Sequence, residues 1–346
     1  MSNQLSGAPG NLSPIRIERA EKRDKSLLPW PPRPVYHSGG TDAPRRPAAG
    51  AVTWNITTAC NYRCSYCTQQ FLEDRKRLLK DATAFIAAFS RLPGRWEIKM
   101  SGGEPFTHPA LCEIAEGLRR QNHLVSVVTN FSASRERLKA FLDASGSSLR
   151  VFSASFHAEY AGRNNQEFTA FVEKCRWMAG HLDAEASFNV TCVATRDNLA
   201  QLTDYAETFA RAGVTFKVQP EKRDREVIEY TDEEQELLLS LGGHNMTGVI
   251  APDFSGQPCW AGALYFTLDD RGHAWRCYPA RRFRRQYLGN FLSPDFRLAR
   301  GPTPCLYSYC NCTVPIERGM TPGTCAREME HTSNWKRPAR WGVTTK

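Results

Sequence analysis

Long apolar runs are missing from this chain. No stretch approaches the ~20 residues that a helix needs to cross a bilayer, although 41% of the residues are hydrophobic and 23% are charged. The first 50 residues are polar and rich in proline and arginine, and they lack the apolar segment of a secretory signal. These absences predict a cytoplasmic protein without a membrane partner, and the composition is that of a soluble globular protein.

Acidic residues are fewer than basic ones, since 36 Asp and Glu face 45 Lys and Arg for a formal net charge of +9. Basic motifs interleaved with aromatics, as RNA-binding modules carry them, are missing. Nucleic acid is therefore disfavoured, an anionic substrate is favoured, and a solvated basic face is the default interpretation. The densest basic stretches are Arg281, Arg282, Arg284 and Arg285, and then Lys336, Arg337 and Arg340.

Cysteine, in contrast, is abundant. Twelve cysteines in a chain without an export signal predict metal or redox chemistry rather than disulfides, because cytosolic thiols are kept reduced. Cys60, Cys64 and Cys67 directly follow an apolar, strand-like run. Three thiolates would leave one iron of a [4Fe–4S] cluster open to another ligand. A zinc knuckle is the alternative, but it needs a further pair of ligands, and none follows closely along the chain.

The pattern of the remaining chain predicts an α/β fold. Strand-like runs alternate with helical runs whose apolar residues are spaced by three and four, which is typical of a parallel sheet built from βα units. The six predicted strands are Ala51–Thr57, Arg95–Met100, Leu124–Thr129, Arg150–Ser155, Ser187–Ala194 and Val214–Gln219. A capping-box pattern at Thr231 and Glu234 predicts the start of a bridging helix.

Composition divides the chain into five predicted parts. They are a disordered, Pro/Arg-rich segment (1–50), a barrel (51–220), a bridging helix with a linker (221–255), a small cysteine-rich domain organised by metal (256–325) and a basic tail (326–346).

The thiol spacing Cys60-x3-Cys64-x2-Cys67, with Tyr66 before the last thiol, closely resembles the signature of the radical S-adenosylmethionine (radical SAM) enzymes. The segment Gly102–Pro105, after the second predicted strand, matches that family's GGEP motif. The resemblance implies a partial barrel, a [4Fe–4S] cluster on the three thiols, and SAM bound to the open iron. An electron from a flavodoxin or ferredoxin would cleave SAM to a 5′-deoxyadenosyl radical, which would abstract hydrogen from a substrate C–H bond.

The resemblance also implies where SAM binds. The glycine segment would hold the methionyl amine, the tyrosine would lie against adenine, and residues at the ends of the third and fourth strands would contact the ribose and the carboxylate. For these strand-end residues, helix caps or turns are the alternative. The implied SAM-binding residues are Tyr66, Gly102, Gly103, Glu104, Thr129, Asn130, Ser153 and Ser155. His157, just past the fourth strand, is a candidate for substrate contact or a capping or surface histidine.

A second cysteine group lies near the C-terminus. Cys259-x12-Gly272-x4-Cys277 resembles the opening of the SPASM and twitch domains that follow many radical SAM barrels and hold auxiliary iron–sulfur clusters. The later thiols depart from the full SPASM register, so we expect the shorter twitch form with one auxiliary [4Fe–4S] cluster. Its four ligands would come from Cys259, Cys277, Cys305, Cys310 and Cys312, with Cys310 and Cys312 preferred over Cys305. A four-cysteine zinc site is the alternative.

The expected fold class is therefore α/β, with a partial (β/α)6 barrel of the radical SAM type followed by a small cysteine-rich twitch/SPASM-like domain. The expected substrate is a small polar molecule, sugar-like, nucleotide-like or a secondary metabolite, that is oxidised or epimerised. It is favoured because the proline-rich first 50 residues leave no room for the leader-binding domain of many peptide-modifying relatives.

Two other functions stay open at this point. One is maturation of a ribosomally made peptide by a thioether, a carbon–carbon crosslink or epimerisation; the other is a zinc-binding scaffold without catalysis. Cys192 and Cys325 are candidate hydrogen donors to a substrate radical, and Cys192, on the fifth predicted strand, is expected to point into the barrel. Packing is the alternative for both cysteines.

Overall fold

The computed structural model describes residues 48–67, 69, 75–223, 226–241, 255–307 and 320. In this part of the chain, strands and helices alternate from Gly50 to Pro220. The alternating elements are β1 (Gly50–Thr57), α1 (Arg75–Phe89), β2 (Trp96–Gly102), α2 (Leu111–Arg120), β3 (Leu124–Thr129), α3 (Arg135–Ser145), β4 (Leu149–Phe156), α4 (Ala158–Ala161), α5 (Asn165–Ala179), β5 (Ser187–Ala194), α6 (Leu202–Arg211) and β6 (Thr215–Pro220).

Strands β1 to β6 are parallel and pair in chain order. All six predicted strands are confirmed, with bounds that differ by at most two residues. The parallel order follows from the helices between them, because a strand can return in the same direction only through a crossover connection. It also brings the C-terminal ends of all six strands, and the loops after them, to one edge of the sheet.

The two faces of this sheet differ in polarity. On β2, Trp96, Ile98 and Met100 are fully buried in the main apolar core with the helices, whereas Glu97 and Lys99 alternate with them and lie on the opposite, inner face. Glu97 forms a buried ion pair with Arg150 of β4 at 3.7 Å. The inner face of the partial barrel is therefore polar, with its charges held in place by neighbouring strands.

Side chains cap the starts of two helices. Ser134 caps α3, with its side chain accepting a hydrogen bond from the Arg137 backbone N–H at 3.4 Å. Thr231 and Glu234 form the predicted capping box, since each side chain accepts from the other residue's backbone N–H, at 3.3 and 2.8 Å. The predicted bridging helix is therefore confirmed as α7 (Asp232–Ser240).

Beyond β6 the chain returns to the same sheet. The elements here are β7 (Lys222–Arg223), β8 (Glu226–Val227), the helix α7, β9 (Pro258–Cys259), β10 (Tyr265–Leu268), β11 (His273–Trp275), α8 (Tyr278–Arg282), β12 (Tyr287–Asn290) and β13 (Thr303–Pro304). Strand β10 pairs in parallel with β1, and β11 and β12 follow antiparallel. The described residues thus form a sheet of nine strands in the order β12-β11-β10-β1-β2-β3-β4-β5-β6. Sequence analysis did not predict the three added strands.

Side chains of α1 contact the residues that follow β10 and so connect the added strands to the barrel. Arg77 forms an ion pair with Asp270 and also donates to its backbone carbonyl at 2.6 Å. Phe89 packs against Phe291 with ring centroids 4.9 Å apart. The domain boundary expected near residue 256 stays a prediction.

None of the described helices is both long enough and apolar enough to cross a membrane. No disulfide joins any two of the nine cysteines in the described part of the chain.

Candidate functional site

The predicted cluster thiols lie on the loop after β1, at the C-terminal edge of the parallel strands. The thiol loop, as we call residues 58–67, starts at a turn in which Thr57 Oγ1 accepts from the Ala59 backbone N–H at 3.0 Å. The Tyr62 backbone N–H donates to Cys60 Sγ at 3.4 Å. Cys60 and Cys64 are half-buried and Cys67 is exposed. Three thiols at this edge supply the donor type of a three-thiolate iron–sulfur cluster, but in this structure they are not grouped as a metal-binding site.

Burial favours the protonated form of Cys60 and Cys64 by raising the pKa of each. Burial raises the pKa of Cys64 to about 12, and the nearby carboxylate of Glu159 adds to this. Burial also raises the pKa of Cys60. Because thiolates are the metal-binding form, metal binding by these two thiols would release their protons and would depend on pH.

His157, at the end of β4, contacts the thiol loop directly. Its Nδ1 lies 3.3 Å from Cys64 Sγ and 2.6 Å from the Tyr66 hydroxyl. Burial lowers the pKa of this histidine to about 4, so the ring is neutral at physiological pH. The sequence predicts His157 as a substrate contact or as a capping or surface histidine. In the structure it contacts the thiol loop.

The two glycines after β2 are required by backbone crowding. Gly102 has φ +126°, and a Cβ there would lie 2.3 Å from the Thr57 carbonyl oxygen. A Cβ on Gly103 would lie 2.0 Å from the Ala59 carbonyl oxygen. The Gly103 backbone N–H donates to the Thr57 carbonyl at 2.8 Å, and that of Glu104 donates to the Ala59 carbonyl at 2.7 Å. This segment therefore packs on the start of the thiol loop, which sequence analysis did not foresee.

Glu104 is buried beneath this contact, with only 1% of its surface exposed. Its carboxylate accepts hydrogen bonds from the Phe106 N–H at 2.9 Å, Thr129 Oγ1 at 2.7 Å and the Asn130 N–H at 2.6 Å. Burial raises the pKa of the Glu104 carboxyl, against the effect of these donors. The carboxylate joins the ends of β2 and β3, and the predicted contact of Glu104 with the SAM amine stays a prediction.

The other predicted SAM-binding residues lie at the same edge. Asn130 Nδ2 donates to Asn61 of the thiol loop at 2.8 Å, so Thr129 and Asn130 are joined to both motifs. Ser153 donates to Asn189 Oδ1 at 2.7 Å across β4 and β5. Ser155 is half-buried two residues further along the same strand. The structure therefore brings the predicted residues together, and their contact with SAM stays a prediction.

A cavity of about 330 Å³ adjoins the thiol loop. Tyr66 and Glu159 line one part of it, and Thr195, Asn198 and Tyr205 from the loop after β5 and from α6 line another. The mixture of aromatic and polar groups suits a planar, hydrogen-bonding ligand. Tyr66 is thus placed on a cavity wall, and its contact with adenine stays a prediction.

Cys192 does not point into the barrel, contrary to the sequence-based expectation. It pairs with Phe156 of β4, and the Phe156 ring packs on Tyr205 of α6 at 4.9 Å. The shared strand face is therefore the one covered by helices. Cys192 is 1% exposed within the apolar core, and burial raises its pKa to about 12. The alternation along β5 predicts which residues share a face of the strand, but it does not tell which of the two faces is the inner one.

Three of the C-terminal thiols lie in a second, smaller apolar cluster. Cys259 and Cys277 are buried there, and Cys305 packs against it. Burial raises the pKa of Cys277 to about 12, with small contributions from Cys259 and Cys305. The remaining candidates, Cys310, Cys312 and Cys325, lie outside the described residues. Among the described residues, no three His, Cys, Asp or Glu side chains are arranged as a metal-binding group.

Comparison with known proteins places the thiol loop in a family. The family model of the radical SAM superfamily matches residues 54–176. The mycofactocin maturase MftC of Mycolicibacterium smegmatis is 25% identical over 295 residues, which are 78% of this chain and 72% of that protein. The GTP 3′,8-cyclase of Stenotrophomonas maltophilia is 32% identical over 115 residues, 30% of this chain and 34% of that protein.

Among solved structures, SuiB of Streptococcus suis bound to S-adenosylmethionine aligns with a TM-score of 0.48 and 10% identity. The alignment covers 71% of this chain and 64% of the SuiB chain, which is less than two thirds of its length.

The family match extends from within β1 to within α5 and so includes both the thiol loop and the glycine segment that packs on it. This match confirms the predicted resemblance to the radical SAM superfamily over residues 54–176.

Proposed function

We propose that this protein modifies a ribosomally made peptide by radical SAM chemistry. The observation that carries the proposal is the similarity to the mycofactocin maturase, because it extends over 78% of the chain and reaches well beyond the barrel motifs. This reverses the order of the two substrate hypotheses: the small polar substrate was expected first, and the longer similarity favours the peptide.

Cys60, Cys64 and Cys67 would hold the [4Fe–4S] cluster, and the residues around the cavity would hold SAM. When bound, the reduced cluster and SAM supply a 5′-deoxyadenosyl radical that takes hydrogen from a C–H bond. The protein's own contribution is to orient SAM and substrate and to exclude water. Tyr66 would orient the adenine from its position beside the cavity, with its hydroxyl fixed on His157 at 2.6 Å.

We assign the strand-end residues an orienting role. Thr129 and Asn130 are anchored on Glu104, and the Ser153 hydroxyl is anchored on Asn189. Because these hydrogen bonds fix the ends of β3 and β4, polar groups at the sheet edge are preorganised for the ribose and carboxylate of SAM. The electron donor would be a flavodoxin or ferredoxin.

The C-terminal thiols would hold one auxiliary [4Fe–4S] cluster. The grouping of Cys259, Cys277 and Cys305 around a common apolar cluster supports this assignment, and the fourth ligand would come from Cys310 or Cys312. Zinc on the same thiols is the alternative, and iron and zinc analysis of the purified protein separates the two.

A small polar substrate is the second candidate. It is favoured by the match to GTP 3′,8-cyclases, which is higher in identity but covers only 30% of the chain. The net charge of +9 also suits an anionic substrate of either class.

The test has two parts. Anaerobically reconstituted protein with SAM and dithionite should form 5′-deoxyadenosine, and the variant with Cys60, Cys64 and Cys67 changed to alanine should form none, whereas Cys112→Ala serves as the control. Peptides encoded beside the gene are then incubated with the enzyme and analysed by mass spectrometry. Loss of hydrogen or a crosslink in such a peptide supports the proposal. Turnover of only sugars or nucleotides would favour the second candidate.

A further inference from the structure

Residues directly after β4 hold the middle of the thiol loop. The Glu159 carboxylate accepts hydrogen bonds from the Ser65 backbone N–H, at 3.0 and 3.2 Å to its two oxygens. It also accepts from Ser65 Oγ at 2.5 Å. A charged acceptor makes these bonds stronger than neutral ones, so one side chain fixes both the backbone and the side chain of Ser65.

Tyr160 holds the loop at a second point. Its hydroxyl accepts from the Arg63 backbone N–H at 2.7 Å. Its ring stacks on Tyr62, with centroids 3.9 Å apart and planes 3° from parallel. The guanidinium of Arg163 lies over the Tyr160 ring at 5.0 Å. The tyrosine is therefore oriented by its own neighbours and presents a fixed acceptor to the loop.

These two contacts lie on either side of one cluster thiol. Arg63 and Ser65 are the residues before and after Cys64, and both of their backbone N–H groups are held from α4. The Cys64 side chain itself lies against His157 Nδ1 at 3.3 Å. The position of Cys64 is thus fixed by protein contacts on its backbone and on its sulfur, whereas exposed Cys67 has a backbone bond to Cys64.

We propose that Glu159 and Tyr160 are positioning residues that hold Cys64 in place for the [4Fe–4S] cluster; this rests on the proposed function. In this role they act through Ser65 and Arg63, and Glu159 also lines the cavity beside Tyr66. In the sequence, only their position shortly after β4 pointed to a role at the site. No motif identified either residue.

The physical basis is preorganisation. A thiol whose neighbouring backbone is already held loses less conformational freedom when it binds the cluster. Supporting groups of this kind contribute about 10- to 100-fold to metal affinity in other sites. The cluster should therefore form without these contacts but should be lost more readily.

The experiment compares iron release from reconstituted full-length protein. Glu159→Ala should release iron to a chelator about tenfold faster than the wild type. Glu159→Gln, which keeps one acceptor oxygen, should recover part of the difference. Tyr160→Phe keeps the stacked ring and loses only the acceptor, so a smaller acceleration is expected. Glu173→Ala, an exposed glutamate on α5, is the matched control and should match the wild type.

Electron paramagnetic resonance of the reduced cluster provides the second readout. A shifted spectrum in Glu159→Ala, recorded without SAM, together with an unchanged apoprotein melting temperature, supports a positioning role over a general loss of stability. If the variants release iron at the control rate and keep the wild-type spectrum, the inference is wrong while the proposed function stands. If the wild type itself assembles no cluster, the proposed function fails first.

Discussion

His108 shows how burial fixes the protonation state of a single side chain. It is 2% exposed, and its Nδ1 accepts from the Ala110 backbone N–H at 3.1 Å. Burial, with a smaller contribution from the charge of Arg77, lowers its pKa to about 4. An unfolded histidine titrates near pH ~6.5. Between these values the unfolded chain binds more protons, so stability rises with pH and is lost as the pH falls.

This sign gives a prediction for the apoprotein. His108→Asn keeps an acceptor for the Ala110 N–H and removes the titrating group. On going from pH 7 to pH 5, the wild type should lose about 2 kcal/mol more unfolding free energy than the variant. Urea unfolding of both proteins at both pH values measures the difference. Burial also lowers the pKa of His123. This histidine is present in both proteins, so its contribution to the loss of unfolding free energy cancels in the comparison. Equal losses would mean that His108 is not held neutral by the fold.

At the scale of elements, the end of β2 and the thiol loop form one packed unit. Gly103→Ala would place a methyl group 2.0 Å from the Ala59 carbonyl oxygen. The loop must then move away, and the hydrogen bonds from Gly103 to Thr57 and from Glu104 to Ala59 are strained. We expect a loss of about 1–3 kcal/mol in unfolding free energy and a lower iron content after reconstitution.

Gly180→Ala provides the control for this substitution, because a Cβ there would make only ordinary contacts at 3.6 and 3.7 Å. Urea unfolding and iron analysis of the two variants are compared directly. Normal iron content in Gly103→Ala would show that the approach of the two loops does not shape the cluster site.

The same elements show what sequence can predict. The six strands were predictable because buried parallel strands carry apolar runs of characteristic length, and the thiols because their spacing is itself the signal. The hydrogen bonds of Glu159 and Tyr160 to the thiol loop were not predictable. They join residues about 95 positions apart through exposed polar contacts, and such contacts leave no periodic pattern in the sequence. The prediction that Cys192 points into the barrel was wrong for a related reason. Both faces of β5 carry residues of similar polarity, as Thr191 beside Cys192 shows.

At the scale of the whole molecule, the C-terminal residues continue the sheet of the barrel. Ala51–Trp54 of β1 pairs on one side with β2 and on the other with Tyr265–Leu268 of β10. Phe266 and Leu268 belong to the same apolar core as the barrel strands. Short β10 to β12 were missed by sequence analysis because strands of three or four residues are too brief to show a period.

This continuity allows the expected boundary near residue 256 to be tested. A chain of residues 1–255 would leave β1 as an unpaired edge strand and uncover the apolar surface that Phe266 and Phe291 now bury. Exposed apolar edges favour aggregation, so we expect this fragment to be largely insoluble. A chain of residues 1–320 keeps every described residue and is the control. Soluble yield and size-exclusion chromatography give the answer, and a folded, monomeric 1–255 fragment would establish the barrel as an independent domain after all.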